Sequence, residues 1–225
     1  MTLTVCWSAK GGSGTTVVAA GLALDSARPS ALLDVDGDLP MILGVPEPAG
    51  QGLSHWFDSG APPEAILDLA IDLDATTRLI PRGPARIPRR APRWGELGRW
   101  LAASDIAFVA DVGLGDPPVA LLPESAPTAA SKSLSLKPSG AKGLLITRPC
   151  YVALMRARLL DTRPDGVILI DERGRDISAR DVEISVGAPV VAKVPFDPAI
   201  ARAVDRGLLA MALPGSIKNI LGRAA

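Results

Sequence analysis

Aromatic residues make up only 4% of this 225-residue chain, histidine occurs once and cysteine twice. Each scarcity excludes something. A hydrophobic content of 48% is enough for a sizeable core, but with so few rings that core must be aliphatic. Two distant cysteines, Cys6 and Cys150, make neither a disulfide framework nor a zinc site, and both are expected as buried, reduced thiols. His55, in Gly52-Leu53-Ser54-His55-Trp56, has no second histidine and no acid–base partner in view and reads as structural. Charge of one sign is not in excess: 24 basic residues balance 24 acidic ones. No global field therefore pulls the chain toward nucleic acid or a membrane, although a local patch stays open. No apolar run approaches the ~20 residues of a membrane span. The first residues lack the basic region and apolar stretch of a secretory signal, and a glycine-rich motif begins almost at once. A cytoplasmic protein is expected, with recruitment to the inner face of a membrane left open.

What the chain does have is alternation. Residues 2–8 read as a buried strand, 17–27 as an Ala/Val/Leu-rich helix and 31–35 as a second apolar strand. That order is a βαβ unit and implies a parallel sheet. Further strands are expected at 77–80, 106–110, 143–147, 166–170 and 190–194. Helices are expected at 63–73, 94–103, 151–160 and 199–209; in the second of these Trp94, Leu97, Trp100 and Leu101 recur three to four apart. Residues 38–52, with three prolines, read as loop, and 81–93 as an Arg/Pro-rich linker. Residues 124–143, rich in Ser, Ala, Pro and Lys, read as a long polar insertion. Residues 216–223 suggest a short terminal helix. The fold class is α/β: one doubly wound domain over 1–225, with a mostly parallel sheet flanked by helices.

The chemistry-bearing segment is Ala9-Lys10-Gly11-Gly12-Ser13-Gly14-Thr15-Thr16. Glycines allow a tight turn in which several backbone N–H groups point at one anion. The helix that follows adds the positive end of its dipole. The Thr16 hydroxyl is placed to reach Mg²⁺. A strict P-loop pattern fails twice, because Ala9 stands at its first glycine and Thr15 at its phosphate lysine. Lys10, however, precedes the double glycine, as in the deviant Walker A motif Lys-Gly-Gly-x-Gly-Lys-Thr/Ser.

On these residues the chain resembles the ParA/MinD family of P-loop ATPases. In that family two subunits sandwich two ATP molecules, and the signature lysine reaches the partner's phosphates. The resemblance implies ATP and Mg²⁺ as cofactors, a nucleotide-dependent homodimer, and Lys10 as the lysine acting across it. Leu32-Leu33-Asp34-Val35-Asp36 resembles the second strand with its Asp-x-Asp, which implies that Asp36 positions the attacking water and lies beside Mg²⁺. Phe108-Val109-Ala110-Asp111 resembles the Walker B strand, which implies that Asp111 holds Mg²⁺ through water. Leu145-Ile146-Thr147-Arg148-Pro149 resembles the strand and loop before the next helix. Pro195-Phe196-Asp197-Pro198 resembles the loop near the adenine, so Pro195 and Asp197 join Gly11, Gly12, Ser13, Gly14, Thr15 and Thr16 as nucleotide-binding residues. Asp171 stands where the family has an asparagine that hydrogen-bonds the adenine. It can accept from the amino group but cannot donate to a ring nitrogen, which leaves base selectivity open.

A Gly-Gly-x-Gly-x-Thr loop without the second lysine is similar to that of the CpaE/TadZ branch, whose members localise pilus machinery or act at septum sites. Four functions compete. One is an ATP-dependent dimerisation switch positioning such a machine through an unidentified protein partner, with slow hydrolysis. The second is a non-hydrolysing scaffold, which Thr15 favours. The third is a DNA-partition ATPase, for which the arginines at 78, 82, 86, 89, 90 and 93 offer phosphate contacts. The fourth, a redox relative of nitrogenase reductase, lacks the cysteines it needs. Asp34 is a candidate for stabilising the phosphate loop, and Asp38 reads as a loop residue. The apolar and cationic residues of 217–223 leave a peripheral membrane contact open.

Overall fold

The computed structural model describes residues 3–46, 50–122 and 140–213. The chain runs β1 (Leu3–Ser8), α1 (Thr15–Leu24), β2 (Ser30–Asp34), α2 (Leu39–Leu43), α3 (Leu53–Asp58), a 3-10 helix (Pro63–Leu69), β3 (Ile71–Asp72) and β4 (Thr77–Ile80). It continues through α4 (Trp94–Ala103), β5 (Ala107–Leu114), a 3-10 turn (Val119–Leu121), β6 (Ala141–Thr147) and α5 (Tyr151–Ala157). The last elements are β7 (Gly166–Asp171), α6 (Ala179–Val186), β8 (Val190–Pro195), α7 (Pro198–Asp205) and α8 (Leu209–Ala212).

The strands form one eight-stranded sheet in the order β3-β4-β2-β5-β1-β6-β7-β8. Every pairing is parallel except β3 with β4 at the edge. The sheet is buried on both faces, so its strands are continuous apolar runs whose alternate side chains feed two cores. Leu3, Val5 and Trp7 of β1 join Leu33, Ala110, Leu145 and Leu169 in one core, covered by α3, α4, α5 and α6. Cys6, Leu32, Val109, Leu144, Ile146 and Ile168 join the other, covered by α1, α2, α7 and α8. Helix α1 packs so closely on the sheet because its buried face is largely Ala and Gly.

Several local expectations are corrected. Residues 63–73 are no α-helix: two prolines precede or open the segment, it forms a 3-10 helix, and Ile71–Asp72 then pairs with β4. Residues 38–52 hold α2, and α3 starts directly after them at Leu53, so His55 lies on a helix rather than in a loop. Helix α6 has no counterpart among the expected elements. Strand β6 begins at Ala141, so it takes the last three residues assigned to the insertion; 124–139, like 216–223, lie outside the described residues. Cys6 is fully buried, and burial pushes its thiol far up, but Cys150 is only half-buried.

The Arg/Pro-rich stretch is fastened rather than slack. Arg93 donates to the carbonyls of Trp56, Ser59 (2.7 Å) and Ala61, lies 3.5 Å from the centroid of the Trp56 ring, and pairs with Glu96 at 3.1 Å. Arg78 pairs with Asp72 across the edge of the sheet. These two arginines knit the protein to itself and are drawn out of the apparent basic run of the sequence by folding.

Candidate functional site

The sequence-selected loops after β1, β2 and β5 meet at the carboxyl ends of these central strands, where an open α/β sheet leaves a crevice, and those after β6, β7 and β8 follow along the same edge. The turn between β1 and α1 is shaped by Gly12 and Gly14, at φ 75° and 92°, conformations that only glycine adopts without strain. Gly14 also caps α1, and its carbonyl accepts from Val18 N at 3.0 Å, but no side chain caps the helix. The leading N–H groups of α1 are thus left for a ligand. Ser13 ties the turn by donating to the Lys10 carbonyl at 2.6 Å. A Cβ on Gly11 or Gly12 would meet nothing within 4 Å. The loop is therefore an open cradle above a helix N-terminus, of the kind that holds phosphate.

Below it lies a cavity of about 280 Å³ lined by Gly11–Val17 together with Asp36, Asp38, Gly113 and Leu114. Asp34 and Asp111 are neighbours in register on β2 and β5, and both are fully buried. Asp34 accepts from Gly37 N at 2.7 Å and from Arg82 N at 3.5 Å, so it holds the loop that carries Asp36 rather than the phosphate turn. Burial raises its carboxyl to about 6 despite those bonds. One Asp111 oxygen accepts from Gly113 N at 3.2 Å; the other, Oδ2, is buried without a hydrogen-bond partner. Burial lifts the Asp111 carboxyl to about 7, the carboxylates of Asp34 and Asp36 add to the rise, and the Thr16 hydroxyl and Gly113 N–H oppose it. Asp36 is half-buried, and burial followed by Asp38 raises its pKa while Arg89, Arg82 and Arg86 lower it.

An orphaned buried carboxylate oxygen is costly unless a cation completes it. Among the described residues no group of three or more His, Cys, Asp or Glu side chains is arranged for a metal. The side chains that could hold one are the Thr16 hydroxyl and Asp36, which line the cavity, with Asp111 buried nearby. Mg²⁺ typically takes one or two carboxylates and completes its shell with phosphate oxygens and water, so these residues fit the Mg²⁺–nucleotide pair.

A second cavity, about 250 Å³, adjoins the cradle through Gly12 and Gly14 and is walled by Val17, Ile170, Val194, Pro195 and Phe196. Arg148 lies over the Phe196 ring at 5.1 Å and is held by Glu172 at 2.7 Å. This apolar slot with a polar rim suits a flat base. Pro195 and Asp197 line it, and the Asp197 carboxylate also caps α7 through Ala199 N at 2.8 Å. Asp171 is exposed at the end of β7 and is not among the lining residues; its carbonyl accepts from Phe196 N at 2.8 Å, which positions the loop. Lys10 is half-buried, donates to the Gly11 carbonyl at 3.3 Å, and does not line the phosphate cavity of its own chain.

Sequence reasoning missed Gly113. It sits at φ 70°, and a Cβ there would overlap the Asp36 carboxylate. Its only sequence signal was a glycine two residues after the strand-end aspartate. Replacing Gly113 by alanine is expected to displace Asp36 and lower any nucleotide-hydrolysis rate by about 100-fold, with a fold cost of about 1–2 kcal/mol from the left-handed backbone. Steady-state phosphate release alongside a urea melt checks both; an unchanged rate in a folded variant counts against Asp36 as a reacting-site residue.

The fold and this crevice define a doubly wound, P-loop-type α/β protein. No protein-family model and no curated protein sequence matches the chain. Solved structures do. The chain is similar to MinD in the MinC:MinD cell division complex of Aquifex aeolicus, with 18% identity, a TM-score of 0.71 and coverage of 100% of this chain and 94% of that one. It is also similar to a ParA-family ATPase from Chlorobium tepidum, with 20% identity, a TM-score of 0.69 and coverage of 98% and 96%. A third match is the septum site-determining protein MinD of Pyrococcus horikoshii complexed with Mg-ADP, with 21% identity, a TM-score of 0.67 and coverage of 99% and 93%. The fold of this chain is that of the MinD and ParA-family ATPases. Among the described residues no helix is long and apolar enough to cross a membrane.

Proposed function

We propose that the protein is a ParA/MinD-type nucleotide switch: it binds Mg-ATP, dimerises in response, positions a cellular machine such as a pilus assembly or septum site, and hydrolyses ATP slowly. The observation that carries this reading is the convergence of an uncapped α1 N-terminus and an open glycine cradle on one cavity that Asp36 also lines, with the orphaned Asp111 oxygen buried two residues before the cavity-lining Gly113. The backbone N–H groups of Gly11–Thr16 hold the phosphates. Thr16, Asp36 and Asp111 hold the metal, which when bound neutralises charge on the phosphate oxygens. Asp36 orients the attacking water. Val17, Ile170, Pro195 and Phe196 enclose the base. Lys10, which does not line its own phosphate cavity, acts on the partner's nucleotide.

Thr15 supports a second reading, a scaffold that binds nucleotide without turning it over, because a threonine hydroxyl offers a hydrogen bond but no charge to the phosphates. Light-scattering mass with and without Mg-ATP separates the two. A shift of the wild type to the dimer mass, lost in Lys10→Ala, is the result expected of the switch. A mass that does not move, with no ATP bound, rules the switch out.

A further inference from the structure

Three arginines of the 81–93 segment converge on one place that the nucleotide site does not use. Arg82, Arg86 and Arg89 line a cleft of about 590 Å³ whose other walls include Asp36 and Leu114. Those two residues also line the phosphate cavity, so the cleft and the cavity adjoin across the Asp36 and Leu114 side chains. Three guanidinium groups face one carboxylate, which leaves the cleft positive.

The three are held differently. Arg82 donates to the Asp36 carbonyl and to the Gly83 carbonyl (3.2 Å), fixing the loop. Arg89 donates through Nη2 to the carbonyls of Val112 at 2.7 Å and Leu114 at 3.0 Å, directly beyond Asp111. Its Nη1 is buried with no hydrogen-bond partner, an unsatisfied cationic donor that is costly without an acceptor. Arg86 is exposed, makes no hydrogen bond or ion pair among the described residues, and is close enough to Asp36 to lower that group's pKa. A planar guanidinium with free donors is matched to tetrahedral oxyanions.

We propose that this arginine cleft is a phosphate-binding site, in which Arg86 and the free Nη1 of Arg89 take the terminal phosphate of the bound nucleoside triphosphate and supply part of the positive charge that Thr15 does not, without reaching the position a lysine at 15 would occupy. The inference rests on the nucleotide-binding reading above. A free phosphate has the same chemistry, and the test distinguishes the two sources.

The test is calorimetric binding of Mg-AMP-PNP, of Mg-ADP, and of Mg-ADP with inorganic phosphate present, on the wild-type full chain, Arg86→Ala and Arg86→Lys. Arg86 is exposed and unbonded, so its removal leaves the fold intact, and a thermal melt confirms that. The wild type is expected to favour AMP-PNP over ADP, and Arg86→Ala to lose about tenfold or more of AMP-PNP affinity while ADP affinity stays. Arg86→Lys keeps part of the preference, because it keeps the charge but not the fork. If Arg86→Ala instead spares AMP-PNP and abolishes a phosphate-dependent gain in ADP binding, the cleft holds free phosphate and remains an oxyanion site. If all variants bind every ligand as the wild type does, the cleft proposal is overturned while the nucleotide reading stands. If the wild type binds neither nucleotide, both fall together.

Discussion

Replacing Thr15 by lysine is expected to raise the rate of ATP hydrolysis by about 100- to 1000-fold. Thr15 is the first residue of α1, is 6% exposed, and lines the phosphate cavity beside Gly14 and Thr16. A lysine at this position would carry its ammonium into a cavity where charge develops on the transferred phosphoryl group. One preorganised electrostatic contact of this kind is worth roughly 2.7–4 kcal/mol in the transition state, which converts to the stated gain in rate. Thr15→Met, of similar length and without charge, separates charge from bulk and is expected to leave the rate at or below that of the wild type. Single-turnover phosphate release with ATP at saturating concentration is the measurement. If Thr15→Lys binds ATP and turns over no faster than the wild type, the missing lysine is not what limits this protein, and the arginine cleft or the absence of a partner becomes the limiting feature.

The second large effect concerns stability. Asp111→Asn is expected to stabilise the ligand-free protein by on the order of 2–4 kcal/mol at pH 8. Burial raises the Asp111 carboxyl from its ordinary 3.8 to about 7, so the folded state binds this proton more tightly than the unfolded chain does. The ionised group therefore opposes folding. That penalty is fully present above pH 7, shrinks as pH falls through 7, and is gone below about 4. Asp34, raised to about 6 mainly by burial, acts in the same direction. The ligand-free wild type is thus expected to be more stable at pH 5.5 than at pH 8, with much of that difference removed in Asp111→Asn. Urea denaturation at the two pH values checks it. If Asp111 holds Mg²⁺ as proposed, adding Mg²⁺ and nucleotide is expected to reverse the ranking, since the wild type then gains more linkage stabilisation than the variant. A variant that is less stable than the wild type at pH 8 without ligand would show that the orphaned oxygen is not a cost, and would remove the argument that it waits for a cation.

Much of this protein was legible along the chain because its central elements announce themselves locally. Strands β1, β2, β5, β6 and β7 are runs of branched apolar residues buried on both faces, and composition alone identifies such runs. The glycine turn was legible because three glycines between an apolar strand and an apolar helix leave few other conformations. Where expectation failed, weaker signals competed. Helix α6 is polar on average and was passed over, although Ser178 and Asp181 form a capping box that marks its start. The 63–73 stretch has helical apolar spacing, but Pro62 and Pro63 tighten it into a 3-10 helix, and pairing with β4 claims its end.

The arginines show the boundary most clearly. Read in order, residues 78–93 are one basic run, and nothing in their spacing tells a structural arginine from a ligand-facing one. Folding sends Arg93 onto Trp56, Arg78 onto Asp72, Arg82 to the loop that follows β2 and Arg89 to the end of β5. Gly113 is a similar case, since its importance lies in a contact with Asp36, far away in the sequence. The sequence by itself determined the alternation of strands and helices, the phosphate turn and the chemical types gathered around it, because those follow from local backbone preference and hydrophobic periodicity. Only the tertiary structure decided which carboxylate oxygen is left without a donor, which glycine makes room for Asp36, and which arginines share its cleft. Those are contacts between segments distant in the chain, and the parallel crossovers of the sheet bring them together at one edge.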